Sequence, residues 1–453
     1  MLRAIAGRVQ RAPASPAVRR GFATSAARRH TPLSVLSTAP EFFRTVREGT
    51  IPAFRLLGAD GQLTDDAGAK EWVDKARAVD GDKLKRMLEV MTMMPILDQI
   101  LYSSQRQGRI SFYMTAYGEE GTVVGSAAAW ENDDEVFAQY REVGVLLWRG
   151  YPLTDLMAQV FSTKNDTATK GRQMPVHYGS REHHFHTISS PLGTQLPQAA
   201  GAAYALKRDP NRQNSCVICY AGEGATSEGD FHAALNMAST LGGPLVFVVR
   251  NNGFAISTPV SQQYAGDGIA ARGPGYGIDT VRVDGNDPLA VHLACKEARR
   301  IAVSGQKPVL VEAMTYRVGH HSTSDDSSAY RNPSAVESVK KLDSPLQRLR
   351  KYLESLPTPL WSAEHDASFK DSSKRAILKE FSKAEKDKKP ALEHMFGDVF
   401  AAREGPDEVS ELERPQREQK EELKRLIAKW GETTAWKKEL EKFDGGKAAV
   451  DKW

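Results

Sequence analysis

Four short, apolar, β-rich runs punctuate the middle of the chain: Cys216–Ala221 (CVICYA), Leu245–Val249 (LVFVV), Thr280–Val283 and Val309–Tyr316. Between them apolar residues recur at helical spacing over Ser227–Leu241 and over Pro288–Val303, with Pro288 in a first-turn position. Apolar strands alternating with helices predict an α/β fold, a mostly parallel sheet with helices on both faces. Each run ends in a polar segment: Gly-Glu-Gly, Arg-Asn-Asn-Gly, Asp-Gly-Asn-Asp and Arg-Val-Gly-His-His in turn. Sheets of this kind bind ligands beyond the carboxyl ends of their strands. The chemistry is therefore expected in these four loops.

The flanks differ in character. Residues 31–85 mix Pro and Gly turns with short amphipathic pieces and read as an extension for subunit contacts, ahead of the α/β domain at 86–350. Residues 351–453 turn to Lys, Glu, Gln and Leu, and KEELKRLIAKW has helical spacing, so a helical C-terminal region is expected. The KAEKDKK run near Lys383 reads as a solvated helix end. Residues 1–30 carry Arg3, Arg8, Arg11, Arg19, Arg20, Arg28 and Arg29, and no acidic residue precedes Glu41. That composition reads as a mitochondrial transit peptide, the alternative being a basic tail with no address.

Composition narrows the classes. The chain has 453 residues, 40% hydrophobic and 26% charged, with a net charge of +4 that is partly in the leader, so no nucleic-acid partner is implied. Its longest apolar strings are far below the roughly 20 residues that span a bilayer, so no membrane partner is implied either. Three cysteines exclude a disulfide scaffold. Cys216 and Cys219 spell Cys-x-x-Cys, but three residues apart in a strand they face opposite ways. Six of the 11 histidines are His177, His183, His184, His186, His320 and His321, at spacings that fit no helical zinc pair. His183 and His186 read as surface or hinge residues.

Two loops carry the sharpest signal. Gly222 and Gly224 flank Glu223 at a strand-to-helix turn, where glycine permits close backbone approach and Ala225, Thr226 and Ser227 offer free amides to an anion. One unit later come Arg250, Asn251, Asn252, Gly253 and Phe254. A carboxylate, an amide oxygen and a main-chain carbonyl are hard ligands that suit magnesium, with phosphate oxygens completing the shell. Arg250 adds a guanidinium fork for phosphate. The bland alternative is a pair of ordinary turns.

This pairing resembles the thiamine-diphosphate enzymes, whose signature is Gly-Asp-Gly followed after some 25 to 30 residues by Asn-Asn, with Glu223 here in the Asp position. More narrowly, SQRQGRISFYMTAYGEEG, QYREVGVLLWRGYPL, GRQMPVHYG, SSPLGTQLPQAAGAAYA and YRVGHHSTSDDSSAYR resemble the alpha subunits of the decarboxylating component of mitochondrial branched-chain 2-oxo acid dehydrogenase complexes. The resemblance implies the thiamine-diphosphate-binding fold and position-by-position roles. Glu223, Asn252 and the Phe254 carbonyl would ligate magnesium, although the family usually has Tyr at the Phe254 position. Gln139, Tyr140, Arg141, Ser190, Leu192, Gly224, Ala225, Arg250 and His321 would contact thiamine diphosphate, with His321 catalytic and His320 undecided. Ser189, Pro191, Thr194 and Gln195 would hold potassium, though the residues alone also admit a helix cap at Ser189-Ser190. Ser322 would be the regulatory phosphorylation site; the family's second phosphorylated serine corresponds to Asn332, so two-site control is missing.

The same resemblance implies oxidative decarboxylation of branched-chain 2-oxo acids in the mitochondrial matrix, with transfer of the acyl group to a lipoyl-bearing transacylase core. Partners would be a beta subunit, in a heterotetramer of two alpha and two beta chains, and a regulatory kinase and phosphatase. The chain has room for one sheet and shows only the diphosphate-binding half, so the pyrimidine-binding half and its carboxylate are assigned to the beta chain. Glu119 and Glu120 are placed on the site loop or subunit contact, without a catalytic role. Rival readings are the alpha subunit of a pyruvate or acetoin dehydrogenase, a non-catalytic scaffold subunit, and a magnesium phosphohydrolase using Asp325 and Asp326.

Overall fold

The computed structural model describes residues 50–397 and 413–453; the arginine-rich leader lies outside them. Six parallel strands make one sheet: β1 (Ala53–Phe54), β2 (Glu135–Phe137), β3 (Val217–Gly222), β4 (Leu245–Asn251), β5 (Asp279–Asp284) and β6 (Pro308–Met314). Their spatial order is β1-β5-β6-β4-β3-β2, every pairing parallel. The four central strands are the four apolar runs, each within two residues of its expected limits. The edge strands β1 and β2 are two and three residues long, too short to show a period in sequence. Through β1 the segment after residue 50 joins the sheet itself, pairing Ala53 with Arg282 and Phe54 with Val283.

Alternation along β3 shows why both faces need cover. Ile218 and Tyr220 enter one core, Val217, Cys219 and Ala221 the other. Helices α1 (Gly81–Arg106) and α2 (Glu120–Ala127) line the first core, while α3 (Gln195–Arg208) and α4 (Gly229–Leu241) line the second. Helix α5 (Pro288–Gly305) returns to the first face. Cys216 and Cys219 are free, buried and on opposite faces, as the period-two geometry requires.

Asp287 starts α5. One carboxylate oxygen caps Leu289 N and Ala290 N at 3.0 Å each, and the other accepts from Leu56 N and Leu57 N at 2.7 and 2.6 Å. A single side chain thus caps a helix and pins the β1 segment against it. Beyond the sheet, α6 (Ala363–Glu385) ends in the KAEKDKK run, as its composition suggested. Helix α7 (Arg414–Trp430) places Ile427 in a small separate core with Leu392, Leu440 and Val450.

One charge sits in the middle of the sheet. Glu312 on β6 is fully buried and accepts from Ile269 N (3.1 Å), Ala270 N (2.8 Å), Arg282 Nε (2.9 Å) and Asn251 Nδ2 (2.8 Å). Removing one partner of a buried pair strands the other charge. Glu312→Ala is expected to lose about 3–5 kcal/mol in urea unfolding, and Glu312→Gln distinctly less.

Candidate active site

Strand β3 ends at Gly222, and the chain passes through Glu223 into a 3-10 turn, Gly224–Ser227. A Cβ on Gly224 would stand 2.7 Å from the Ala255 Cβ, so glycine is what lets the two loops touch. Glu223 N donates to Arg250 O at 3.0 Å, which sets the loops side by side. The Glu223 side chain is 1% exposed, and neither carboxylate oxygen has a hydrogen-bond partner. Burial pushes its pKa up to about 7; Gln263, lying close by, pulls the other way, Glu119 adds to the rise, and Arg317 and Arg250 oppose it. A buried carboxylate with both oxygens unbonded is rare and could hold a cation.

The two asparagines after β4 part company. Asn251 turns back into the fold, donating to Glu312 and to the Tyr264 hydroxyl (3.1 Å). Asn252 turns to the site: Nδ2 donates to Glu119 Oε1 at 2.8 Å, and Oδ1 accepts from Phe254 N at 3.2 Å. Gly253, at φ 86°, makes the turn into a two-residue hairpin, Phe254–Ala255 against Thr258–Pro259.

Three buried arginines surround this corner. Arg250 is 1% exposed and is gripped by two carboxylates, its Nε by Glu142 and its Nη1 by Glu119. It is thus not the open phosphate fork that its position in sequence suggests. Burial alone would raise the Glu119 pKa, but Arg250, Arg141 and Asn252 outweigh it and hold the carboxyl below its usual range. Its neighbour Glu120 has no such escort; burial pushes it up to about 8, and its one resolved donor is Gly118 N at 3.0 Å. Gln139 reaches the same corner, where its Oε1 accepts from Gly222 N. Arg141 donates from Nη2 to the His321 carbonyl at 2.8 Å.

His321 sits where the loop after β6 meets these arginines. Its Nδ1 faces Arg317 Nη1 at 3.0 Å and Arg141 Nη2 at 3.3 Å. Guanidinium groups only donate, so Nδ1 must accept, and the ring is neutral with its proton on Nε2. Burial, then Arg141, then Arg317 bring its pKa down to about 3. Tyr140 stands edge-on to the ring, centroids 6.0 Å apart. The loop is ordered by Asp325, whose Oδ2 accepts from His321 N and the Tyr330 hydroxyl, 2.7 Å each. His320 points elsewhere, to Ser327. Ser322 is 7% exposed, its hydroxyl accepting from Ser324 N, while Asn332 is exposed and caps the next helix.

Ser189 and Ser190 are not a helix cap, because α3 begins only at Gln195. Ser190 Oγ lies 2.7 Å from His177 Nε2 instead, and His177 Nδ1 lies 3.0 Å from the Met174 carbonyl. The carbonyl can only accept, so Nδ1 carries the proton and the Ser190 hydroxyl donates to Nε2. Thr194 donates to the Pro191 carbonyl (3.1 Å), and Gln195 Nε2 to the Tyr220 carbonyl (3.0 Å), which leaves Gln195 Oε1 as an acceptor. Leu192 is exposed at the tip of the turn. The remaining histidines are structural: His183 meets Ser180, and His184 and His186 share the Glu135 carboxylate. Among the described residues no three His, Cys, Asp or Glu side chains gather as a metal cluster.

Sequence reasoning missed Glu142, Arg317 and His177 as parts of the site, and put Glu119 on the site loop or subunit contact without seeing its partners, though all lie in the strings that carry the family resemblance. It also missed Ile256. This β-branched residue has φ +55° and is 52% exposed, with its carbonyl held by Arg317 Nη2 at 2.9 Å. Strain of this kind persists where the surroundings enforce it and clusters at functional sites.

A family model described as dehydrogenase E1 component matches residues 88–393. The chain belongs to this family. It is 52% identical over 382 residues to the human "2-oxoisovalerate dehydrogenase subunit alpha, mitochondrial", covering 84% of this chain and 81% of that one. The Caenorhabditis elegans protein of the same name is 48% identical, covering 84% of each. The Arabidopsis thaliana "subunit alpha 1" is 47% identical over 350 residues, covering 77% of this chain and 72% of its own. The E1 dehydrogenase family implies thiamine diphosphate, and an alpha subunit implies a beta-subunit partner. The residues present fit that cofactor. Glu223 offers an open carboxylate and Asn252 an amide oxygen at one rim of the sheet, whereas the Thr226 amide, expected to be free, is taken by the Glu223 carbonyl at 3.0 Å.

The Glu223 shift has a sign that can be checked. An acid whose folded pKa is raised destabilises the metal-free fold progressively from about pH 4.5 to 7, because the unfolded carboxyl ionises first. If this carboxylate holds a divalent cation, the ion needs it ionised: magnesium uptake with thiamine diphosphate should then release a proton below pH 7, and affinity should fall by up to about tenfold per pH unit there. Calorimetry in buffers of different ionisation enthalpy measures that proton.

Proposed function

We propose that this chain is the alpha subunit of the branched-chain 2-oxo acid decarboxylating enzyme of the mitochondrial matrix. It oxidatively decarboxylates acids such as 2-oxoisovalerate and passes the acyl group to a lipoyl group on a transacylase core. The observation that carries the reading is the buried, unpartnered Glu223 carboxylate set beside Asn252. The relatives named 2-oxoisovalerate dehydrogenase, at up to 52% identity, favour branched substrates over pyruvate or acetoin. A scaffold role is disfavoured by the intact site, and a phosphohydrolase by Asp325 being committed to ordering the loop.

When bound, thiamine diphosphate supplies the nucleophilic carbon and the electron sink for decarboxylation. Glu223, Asn252 and the Phe254 carbonyl hold magnesium, and the amides from Gly224 and Ala225 meet the diphosphate. Arg141 and Arg250 set the positive potential of the corner from inside the fold. His321, kept neutral by Arg141 and Arg317, presents Nε2–H and donates to the cofactor's phosphate or to charge developing on the substrate carboxylate. As an imidazolium it would be a third positive charge against two guanidiniums, so it serves as a donor and not as an acid. Ser190 and Leu192 present their loop to the cofactor, and the oxygens of Ser189, Pro191, Thr194 and Gln195 clamp that loop around potassium. Residues 86–350 carry the site. The extension at 31–85, whose later part also supplies strand β1 to the sheet, and the helical region 351–453 hold the beta chain in the heterotetramer, and a transit peptide within residues 1–30 directs import.

The regulatory kinase and phosphatase act at Ser322. Its hydroxyl is buried one residue from His321, so a phosphate of nearly two charges fits only if the loop opens. Single-site control follows, because Asn332 replaces the second serine.

Co-expression with the matching beta chain tests the function. The assembled enzyme should turn over 2-oxoisovalerate and 4-methyl-2-oxopentanoate well ahead of pyruvate, while the alpha chain alone should not decarboxylate. Preference for pyruvate, or turnover by the isolated chain, would refute the assignment. Replacing both Glu223 and Asn252 with alanine should abolish magnesium-dependent cofactor uptake, a loss of at least about 100-fold for a cofactor metal stripped of two side-chain ligands. Ser322→Glu should cut overall complex turnover by about tenfold or more through repulsion and loop disorder. Near-normal turnover would remove the switch.

A further inference from the structure

An asparagine amide is nearly symmetrical. It serves a cation only if its oxygen faces the metal and its nitrogen faces away, and something must decide between the two orientations. Asn252 Nδ2 is 2.8 Å from Glu119 Oε1, and that carboxylate is fully buried. We infer that Glu119 is a positioning residue that fixes the metal-facing orientation of the Asn252 amide and ties it to the arginines of the diphosphate corner. This rests on the magnesium site proposed above.

Three observations support the role. Glu119 Oε2 accepts from Arg250 Nη1 and Oε1 faces the Asn252 amide, so the group presented to it is the amide nitrogen, while Oδ1 lies on the other side, where it also accepts from Phe254 N at 3.2 Å. Glu119 also holds the N-cap position of α2 and makes no cap bond there. Its side chain is committed to the site instead. Finally, the second oxygen binds Arg250 Nη1, and Arg141 Nε lies 4.0 Å from the first. Arg250 already has Glu142 on its Nε, so charge neutralisation by itself does not account for the bond to Asn252.

One carboxylate thereby joins a metal ligand to two arginines. The ion and the anionic cofactor tail should not bind independently, because displacing Arg250 or Arg141 moves Glu119 and with it Asn252.

The test uses the assembled enzyme with its beta chain, thiamine diphosphate and Mn2+ as a paramagnetic probe, with free ion read by electron paramagnetic resonance. Glu119→Gln can donate as well as accept and no longer dictates the amide. Its Mn2+ affinity should fall about 10- to 100-fold, the usual range for partners behind a metal ligand. Adding Asn252→Asp to that variant restores a defined bond in reverse, amide donor at 119 and carboxylate acceptor at 252, and should recover part of the lost affinity. Glu119→Asp keeps the charge but withdraws the acceptor; it should also weaken Mn2+ uptake, and it serves if Glu119→Gln does not assemble. Wild-type Mn2+ affinity in Glu119→Gln or Glu119→Asp, or a double variant no better than Glu119→Gln, overturns the inference. A wild-type enzyme that takes up no Mn2+ with the cofactor would instead sink the metal site itself.

Discussion

The site depends on a balance of charge in a place that water does not reach. Arg141, Arg250 and Arg317 are each at most 2% exposed, and Glu119, Glu142 and Glu223 are each at most 1%. An isolated buried charge costs several kcal/mol, so such a group forms only if its members neutralise one another. Glu119 and Glu142 do this for Arg250. Neither Glu223 oxygen has a hydrogen-bond partner, and its raised pKa marks a carboxylate for which the fold provides no counter-charge at hydrogen-bond distance. The divalent ion proposed for this site would supply the missing counter-charge.

The same balance shapes His321. Two guanidiniums converge on one ring nitrogen, which excludes the imidazolium and orients the remaining N–H. Arg317 connects this ring to the strained Ile256 carbonyl and to Tyr330, and Tyr330 connects to Asp325, which holds the His321 amide. The loop that carries Ser322 is therefore built from the groups that set the chemistry. The modification proposed at Ser322 would therefore disturb both together.

Much of this was legible in the chain. The central strands showed because a sheet covered on both faces demands apolar residues at every position, a signal that survives in a run as short as LVFVV. Gly222-Glu223-Gly224 and Asn251-Asn252 stood out because strand ends at a sheet rim are where polar side chains have no structural reason to be apolar. The edge strands did not show, since Ala53–Phe54 and Glu135–Phe137 are paired by neighbours and not by their own pattern. The bland alternative of a helix cap at Ser189-Ser190 is not realised, because the helix starts five residues later and the hydroxyl of Ser190 is taken by His177.

The sequence by itself determined the fold class, the four loops that gather at the rim, and the residue types offered to a metal and a diphosphate, because periodicity and short motifs are local. Only the tertiary structure decided that Arg250 is enclosed by Glu119 and Glu142, that Asn251 faces the core while Asn252 faces the site, and which nitrogen of His321 bears the proton. Most of those outcomes depend on contacts between distant parts of the chain, such as Asn251 to Glu312 across 61 positions, Glu142 to Arg250 across 108 and Arg141 to His321 across 180. No local pattern encodes them, for donors and acceptors choose partners only once folding has removed the water that would otherwise satisfy each of them.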